Sequence, residues 1–452
     1  MAEYHVENFG CRASRADGEI ISAELRRRGL HPALNPADAD VIVANTCSVT
    51  SQADRTARAF LRRMHRENPA ARILVTGCYA QRAPQEVAAL PGVRAVIGNS
   101  HKALVPEIAG LAAGFVPLAA LQPGSTARPA LYVDDAFAHS ELAMPEGGWA
   151  TNAAEGGQTR PNLKIQDGCG NRCSFCIIPV TRGHSRSLAL EVCLGNVRAF
   201  AAAGGTELVL SGINLGRWGR DLTPVCTLEE LVSAILHRTG LPRLRLSSIE
   251  PMDWTPQLLA LFRDHSGERL ARHAHLPLQS GSDAVLRAMH RRYRPWHYAA
   301  KLRLIRESMP DAAIGADVMV GFPGENDALF EESFDFIAAQ PFTYLHLFPF
   351  SPRPGTRAWQ LAQQYPVSPG VVGERTTRLR ELVADKNRRF RQSFVGRELP
   401  AVTLHTPQGA MTRALTDNFL EVRLNGRLPA NQGVRTLITG LTDTGLIGCI
   451  DA

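Results

Sequence analysis

Six short apolar runs between residues 161 and 390 alternate with helical patterns, and this alternation restricts the fold more than any other feature. The runs are NLKIQDG, ELVLSG, RLRLSSI, HAHLPLQ, AIGADVMVGF and TYLHLFPF. The predicted helices are Leu188–Ala203, Leu228–His237, Pro256–Asp264, Tyr298–Ser308 and Ala328–Ala339. Six successive βα units predict an incomplete (β/α)6 barrel of the TIM type, in which ligands bind at the carboxyl ends of the strands.

Polar residues follow these predicted strands. They are Cys169, Ser211 to Asn214, Ser247 to Glu250, Gln279, Asp317 and Ser351. Polar strand ends are ordinary in solvated loops, but their recurrence on one expected face favours a functional site there.

Residues 1–112 show a second alternation. The strand-like runs are YHVENFG, DVIVANT, RILVTG and AVIG, and the predicted helices are Asp17–Arg28, Gln52–Glu67, Pro84–Ala89 and Lys102–Ala112. This pattern predicts an α/β domain with a parallel sheet. Residues 113–160 are rich in Gly, Pro, Ser and Thr, and we interpret them as a linker with one or two short strands around Leu131–Val133.

The last region, residues 391–452, has the pattern of a small β-barrel. A basic helix, GERTTRLRELVADKNRRFRQSFVG, leads into the runs PAVTLHT, FLEVRLN, GVRTLITGLT and GLIGCID. Gly and Asn turns separate these runs, and barrels of this type often bind RNA. The central segment, residues 161–390, is then the barrel domain between the linker and this domain.

Charge and cysteine content narrow the functional class. The formal net charge is +7, which fits either a solvated arginine surface or nucleic-acid binding. No run of about 18 apolar residues occurs and the first residues do not resemble a signal peptide, so we expect a cytoplasmic protein without a membrane span. Nine cysteines in such a chain indicate metal binding or catalysis before disulfides.

Three cysteines lie close together after the first barrel strand, in IQDGCGNRCSFCIIP. Cys169, Cys173 and Cys176 are spaced as CxxxCxxC. His184 could complete a zinc site, and three buried structural thiols are a further alternative. Three thiolates without a fourth also suit a 4Fe–4S cluster, which needs one ligand per iron and would keep one iron open.

Three further cysteines each follow a predicted strand of the N-terminal region. Cys11, Cys47 and Cys78 are far apart in sequence, but the ends of parallel strands share one sheet edge. We therefore expect them to form a second three-thiol set, although three unrelated loop cysteines would give the same pattern. The remaining cysteines, interpreted as packing residues, are Cys193, Cys226 and Cys449.

CxxxCxxC after the first strand of a βα barrel resembles the radical S-adenosylmethionine superfamily. Nearly the whole chain resembles one of its families, the methylthiotransferases. The matching blocks are NTCSVTSQADRTAR, VTGCYAQRAP, KIQDGCGNRCSFCIIPVTRGHSRS, LSSIEP, HLPLQSGSD, MHRRY, DVMVGFPGE and FPFSPRPGT. Among its branches, the chain is most similar to enzymes that act on N6-threonylcarbamoyladenosine at tRNA position 37.

The resemblance implies a radical SAM transferase with two 4Fe–4S clusters. The first, auxiliary set (Cys11, Cys47 and Cys78) would bind the cluster that carries the transferred sulfur. The second set would bind the cluster that cleaves S-adenosylmethionine to a radical, which takes hydrogen from adenine carbon 2. The terminal barrel resembles a TRAM domain. The implied partners are a tRNA anticodon stem-loop, a low-potential electron donor of the flavodoxin or ferredoxin type and a sulfur donor.

The resemblance also implies contacts to S-adenosylmethionine. The candidates at strand ends are Gly212, Asn214, Ser248, Glu250 and Gln279. Arg182 and Arg186 follow the cysteine loop, where they could bind the cofactor carboxylate, bind RNA phosphate or form structural ion pairs.

Four positions depart from the family pattern. Ser14 and Asp17 replace an asparagine and a glutamate after Cys11, Gly170 replaces an asparagine, and Val180 replaces an aromatic residue. Alternative substrates are N6-isopentenyladenosine in tRNA and an aspartate of a ribosomal protein. A non-catalytic zinc- and RNA-binding protein is the alternative from another class.

Overall fold

The computed structural model describes four parts of the 452-residue chain: residues 2–110, 129–138, 159–405 and 411–450. Most of the predicted linker lies outside the described residues. The last two residues of the predicted helix Lys102–Ala112 lie outside them as well.

The N-terminal region folds around one parallel sheet, as predicted, and this sheet has six strands. The strands are β1 (Glu3–Asn8), β2 (His31–Pro32), β3 (Val41–Thr46), β4 (Arg72–Gly77), β5 (Val93–Ile97) and β6 (Ala130–Tyr132). Their spatial order is β2-β1-β3-β4-β5-β6, and all neighbours are parallel. Alternate residues of β3 enter two separate cores, one on each face, which explains its continuous apolar run. β6 is the short strand expected around Leu131–Val133, whereas β2 is too short to show a sequence period.

The helices of this region differ from the prediction mainly at their starts. They are α1 (Arg12–Arg27), α2 (Ser51–Glu67), α3 (Cys78–Arg82), α4 (Pro84–Ala88) and α5 (Val105–Gly110). α1 begins five residues earlier than predicted because Gly10, with φ +110°, turns the chain directly after β1. The predicted helix from Lys102 begins instead as a 3-10 helix, Asn99–Leu104, and continues as α5.

The central region is an open barrel of six parallel strands in sequence order. These strands are β7 (Asn162–Asp167), β9 (Glu207–Gly212), β10 (Arg243–Leu246), β11 (His273–His275), β12 (Ala313–Val320) and β13 (Tyr344–Pro349). A bridge between Ser248 and His275 joins the β10 side to the β11 side. The short strand β8 (Arg186–Ser187) pairs antiparallel with β7. All six predicted strands and the partial barrel are confirmed.

Helices pack on the outside of this barrel, and all five predicted ones form. The helices are α6 (Ile178–Arg182), α7 (Leu190–Ala202), α8 (Leu228–Arg238), α9 (Pro256–His265), α10 (Asp283–Ala288), α11 (Pro295–Ser308), α12 (Asp327–Ala339), α13 (Arg357–Gln364) and α14 (Pro369–Gln392). α8 begins at a capping box in which Thr227 and Glu230 satisfy each other's backbone N–H groups. The three missed helices, α6, α10 and α13, have only five to eight residues and therefore show little periodicity.

The C-terminal region is a small closed β-barrel, as predicted, but it has five strands where the sequence indicated four. The strands are β14 (Glu398–Thr403), β15 (Met411–Thr416), β16 (Glu421–Asn425), β17 (Gly433–Leu441) and β18 (Leu446–Cys449), in the spatial order β14-β15-β16-β18-β17. The sequence did not predict β15, because its threonines and arginine obscure the alternation of apolar and polar residues. The ion pair of Arg272 with Asp417, 2.6 Å, fastens this barrel to the central one.

The three cysteines predicted to be packing residues lie outside both thiol sets. Cys193 is buried in α7, Cys449 ends β18 and Cys226 lies in a loop. Among the described residues, no helix is long and apolar enough to cross a membrane.

Candidate active site

The first cysteine set lies at the carboxyl ends of three neighbouring strands. Cys11 lies three residues after β1, Cys47 directly follows β3 and Cys78 directly follows β4. Thr46 and Gly77 are register partners, so Cys47 and Cys78 leave the sheet at the same level. The parallel sheet therefore brings together three thiols that are far apart in sequence.

Gly10 lets the backbone pass very close to Cys47. A Cβ atom on Gly10 would lie 2.3 Å from Cβ of Cys47 and 2.6 Å from its sulfur. Burial, and then the nearby thiols of Cys11 and Cys78, raise the pKa of Cys47 to about 12. A bound metal ionises a coordinating thiol, so a cationic centre would convert this buried thiol into a ligand.

The second cysteine set lies on the loop between β7 and α6. The sulfur of Cys169 accepts hydrogen bonds from the backbone N–H of Asn171, at 3.4 Å, and from Nδ2 of Asn214, at 3.7 Å. Burial, and then the neighbouring thiol of Cys173, raise the pKa of Cys176 to about 12. This loop thus places three thiols together without help from distant strands.

Arg291 adds a positive charge beside this loop. Its Nη1 donates to the sulfur of Cys173, at 3.2 Å, and its Nη2 donates to Glu250, at 2.5 Å. Glu250 was predicted to contact the cofactor, but Arg291 was missed. It belongs to the MHRRY block, in which nothing distinguishes one basic residue from the next.

The spacing of ligand atoms separates the two metal hypotheses. Tetrahedral zinc, with Zn–S bonds of about 2.3 Å, would hold its thiolates about 3.8 Å apart. Within the described residues, the one group of three ligand atoms lying within 4.8 Å of one another is His275, Asp317 and His346, so neither cysteine set has zinc spacing. His184, the candidate fourth ligand of the zinc alternative, instead packs its ring edge against Phe137, with centroids 4.8 Å apart. A 4Fe–4S cluster holds each thiolate on a separate iron, so it does not require the thiolates to lie that close together.

One cavity of about 580 Å³ connects the two sets. Cys11 of the first set and all three cysteines of the second set line it. The predicted strand-end residues line it too: Gly212, Ile213, Ser247, Ser248, Glu250, Gln279, Asp317 and Ser351. The structure thus brings the polar strand ends together at one face, as the barrel pattern indicated.

The candidate cofactor contacts present unused hydrogen-bonding atoms at this cavity. Gly212, Ser248, Glu250 and Gln279 line it, and Asn214 contacts Cys169. Oγ of Ser248, Oε1 of Gln279 and Oδ1 of Asn214 are buried and have no hydrogen-bond partner among the described residues. Buried polar atoms normally find partners, so these three fit a bound polar molecule such as S-adenosylmethionine.

Arg182 has a structural role. Its guanidinium is fully buried, with Nη1 2.9 Å from Asp167 and Nη2 3.0 Å from Asp17. Lys164 also contacts Asp17, and Lys102 approaches it at 2.5 Å. Burial opposes ionisation of Asp17, but the three cations outweigh it and lower its pKa. The residue that replaces the family's glutamate therefore ties α1 to β7 and α6.

Of the other departures from the family pattern, Ser14 is buried beside the first thiol set, whereas Gly170 and Val180 lie at open positions. The Ser14 hydroxyl lies 3.7 Å from the sulfur of Cys11. A Cβ atom on Gly170 would meet no atom within 4 Å, and Val180 is 52% exposed.

Arg186, the other arginine that follows the cysteine loop, is buried and donates to a backbone carbonyl four residues upstream, at 2.9 Å.

Histidines on the cavity wall were also missed. Nε2 of His275 and Nδ1 of His346 lie 3.4 and 3.2 Å from Oδ1 of Asp317. Burial raises the pKa of Asp317, but the two adjacent histidine rings outweigh it, so the net shift is downward. His273 hydrogen-bonds to Tyr344 at 2.7 Å, and burial lowers its pKa, which keeps it neutral. Single histidines within apolar strands give no sequence signal.

Two family models match the chain. The model described as "Uncharacterized protein family UPF0004" matches residues 3–98, and the model described as "Radical SAM superfamily" matches residues 163–337. The radical S-adenosylmethionine methyltransferase TsrM of Kitasatospora setae has a similar fold, with a TM-score of 0.57 and 14% identity over 80% of this chain and 76% of that chain. The fold and the cysteine loop thus define a radical SAM protein.

Sequence relatives narrow the class. The threonylcarbamoyladenosine tRNA methylthiotransferase MtaB of Aquifex aeolicus is 34% identical, over 96% of this chain and 99% of that protein. The tRNA-2-methylthio-N(6)-dimethylallyladenosine synthase of Sphingopyxis alaskensis is 32% identical, over 87% of this chain and 85% of that protein. The chain therefore belongs to the radical SAM methylthiotransferases, in the threonylcarbamoyladenosine branch. The predicted cofactors, S-adenosylmethionine and 4Fe–4S clusters, are those of this family.

Proposed function

We propose that this enzyme transfers a methylthio group to adenine carbon 2 of N6-threonylcarbamoyladenosine at tRNA position 37. The observation that carries the proposal is the single cavity that reaches both three-thiol sets. When bound, the clusters and S-adenosylmethionine supply the radical chemistry that exchanges hydrogen for the methylthio group. The chain supplies the enclosure that holds donor and acceptor together.

In this proposal each thiol set has its own task. Cys11, Cys47 and Cys78 hold the auxiliary cluster, and Cys169, Cys173 and Cys176 hold the cluster that binds S-adenosylmethionine. The cofactor lies against the strand ends, where its polar groups meet the unpartnered atoms described above. The contacts we assign are Gly212, Asn214, Ser248, Glu250 and Gln279.

We also assign a separate role to each of the four regions of the chain. Residues 1–112 carry the auxiliary cluster, residues 113–160 form the linker, residues 161–390 form the radical SAM core and residues 391–452 form the TRAM-like domain. The net charge of +7 attracts the phosphates of the anticodon stem-loop. The target base leaves the loop stack to reach this cavity. A low-potential electron donor of the flavodoxin or ferredoxin type and a separate sulfur donor serve the reaction in the cytoplasm.

The alternative nucleoside is N6-isopentenyladenosine. It is supported by the dimethylallyladenosine relative, which is nearly as similar in sequence as the threonylcarbamoyladenosine relative. The zinc-binding alternative is not supported, because neither thiol set has zinc spacing within the described residues.

Nucleoside mass spectrometry tests the function. The gene is expressed in a strain that makes both modified adenosines but lacks both methylthiotransferases. We expect the methylthio derivative of N6-threonylcarbamoyladenosine to appear, and we expect the variant with Cys11, Cys47 and Cys78 changed to alanine to give none. Appearance of only the methylthio derivative of N6-isopentenyladenosine would contradict this proposal and place the chain in the branch that acts on that nucleoside.

A further inference from the structure

The cavity contains one positive charge that the protein does not use itself. Two guanidinium groups line it, those of Arg12 and Arg291. Arg291 is engaged by Glu250 and by the sulfur of Cys173. Within the described part of the chain, Arg12 has no hydrogen-bond or ion-pair partner, and its guanidinium carbon lies 5.9 Å from the ring centroid of Phe419.

The acidic groups on the cavity wall already have partners. Asp317 lies against two histidines, and Glu250 is paired with Arg291. His273 is hydrogen-bonded to Tyr344. Arg12 is therefore a cation at the cavity wall without a carboxylate partner among the described residues, and an anionic group of a ligand would pair with it.

The location of Arg12 indicates which part of the reaction mixture it meets. It directly follows Cys11, on the side of the first thiol set, and its side chain is exposed. The cofactor contacts lie at the second set. A base that leaves the stack enters the cavity ahead of its backbone phosphate. The remaining anion is a group carried by the base.

We infer that Arg12 binds the carboxylate of the threonylcarbamoyl group and so selects the charged nucleoside over apolar ones. This inference rests on the proposed function. A guanidinium can donate two parallel hydrogen bonds to a carboxylate, whereas it would be left unpaired and desolvated by an isopentenyl group. Such a penalty discriminates strongly between substrates of similar size.

The test compares two anticodon stem-loops on the anaerobically prepared holoenzyme. One carries N6-threonylcarbamoyladenosine and the other carries its methyl ester, which removes the charge and little else. We expect the wild-type enzyme to bind the acid about 10- to 100-fold more tightly than the ester, the range of a charge-assisted hydrogen bond. The Arg12→Gln variant should bind both equally, and Arg12→Lys should retain part of the preference.

Arg15→Gln is the matched control. Arg15 lies on the same helix, is exposed and does not line the cavity, so its loss should leave the acid-to-ester ratio unchanged. Equal weakening of acid and ester by Arg12→Gln would overturn the inference in favour of a phosphate contact. Loss of tRNA-independent cleavage of S-adenosylmethionine in that variant would overturn it in favour of a cofactor contact.

The proposed function fails by a different result. A wild-type enzyme that binds the acid loop but never methylthiolates it would contradict the function. A wild-type enzyme that methylthiolates the acid loop but binds acid and ester equally would keep the function and overturn the role of Arg12.

Discussion

The two three-thiol sets are assembled by opposite routes. Cys169, Cys173 and Cys176 lie within one loop, so local sequence alone brings them together. Cys11 and Cys47 are separated by a helix and two strands, and only the parallel sheet makes them neighbours. The first set therefore depends on long-range packing, whereas the second depends mainly on one loop. Perturbations of the sheet should damage one set and spare the other.

The largest expected effect separates the two sets by function. Changing Cys169, Cys173 and Cys176 to alanine should abolish both cleavage of S-adenosylmethionine and methylthio transfer, since no cluster then holds the cofactor. Changing the first set to alanine should abolish transfer but leave cleavage. Chromatography of 5′-deoxyadenosine and mass spectrometry of the tRNA measure the two activities.

Cys226→Ala is the control for these variants, because Cys226 lies in a loop outside both sets. It should retain both activities. If the first-set variant also lost cleavage, the two sets would not be independent.

The next expected effect comes from two glycines, one beside each thiol set, whose substitution leaves all six cysteines in place. Gly10→Ala should prevent the first thiol set from binding its cluster. The new Cβ would lie 2.3 Å from Cβ of Cys47, and the φ angle of +110° at this position disfavours alanine. Gly170→Ala, in the other loop, has open space around it and should leave both sets intact. The measurement is iron content per chain together with 5′-deoxyadenosine formation. Equal iron in the two variants would show that the sheet tolerates the close approach.

A smaller effect should come from the ion pairs that join the two regions. Asp17→Asn leaves Lys164, Lys102 and Arg182 without their shared anion, and breaking a buried pair costs about 3–5 kcal/mol. Chemical denaturation at pH 7 measures the loss. Asp385→Asn, in an exposed pair, should cost less than about 1 kcal/mol.

The same pair predicts a pH dependence. The pKa of Asp17 is lower in the folded protein, so its stabilisation is fully present above the unfolded pKa of about 4. It is lost as the pH falls towards the folded-state value. The difference in the free energy of unfolding between the wild type and Asp17→Asn should therefore shrink in acid, as chemical denaturation at several pH values measures. A difference that stayed constant at lower pH would contradict the buried ion pair.

The smallest effect concerns the terminal barrel, which should act on tRNA and on neither thiol set. Arg423 is exposed on β16 and has no partner among the described residues, so it is available to phosphate. Arg423→Gln should weaken tRNA binding and reduce the log–log salt slope by about 0.7–0.9. Arg413 is paired with Glu421, at 2.6 Å, so Arg413→Gln should change the slope less. An unchanged slope in Arg423→Gln would remove this strand from the interface.

The sequence predicted most of the fold because both α/β regions repeat a simple unit. Apolar runs such as DVIVANT mark buried parallel strands, and each is followed by a clear helix. The elements that escaped prediction are short or polar, such as β2 and β15. Their positions are decided by pairing with neighbours, which local sequence does not record.

The site was predictable where residues cluster in sequence or repeat at strand ends. Both thiol sets and the cavity-lining strand ends fall into that class. Arg12, Arg291, His275 and His346 do not, because their significance is their lack of a partner or their particular partner across the barrel. Such information exists only once distant strands have been placed together.

Iron counting on anaerobically purified protein tests the central claim most directly. The account predicts about eight irons per chain, falling to about four when either set is changed to alanine, as two separate 4Fe–4S clusters require. Four irons in the unaltered protein, with none lost in the variant lacking Cys11, Cys47 and Cys78, would contradict it.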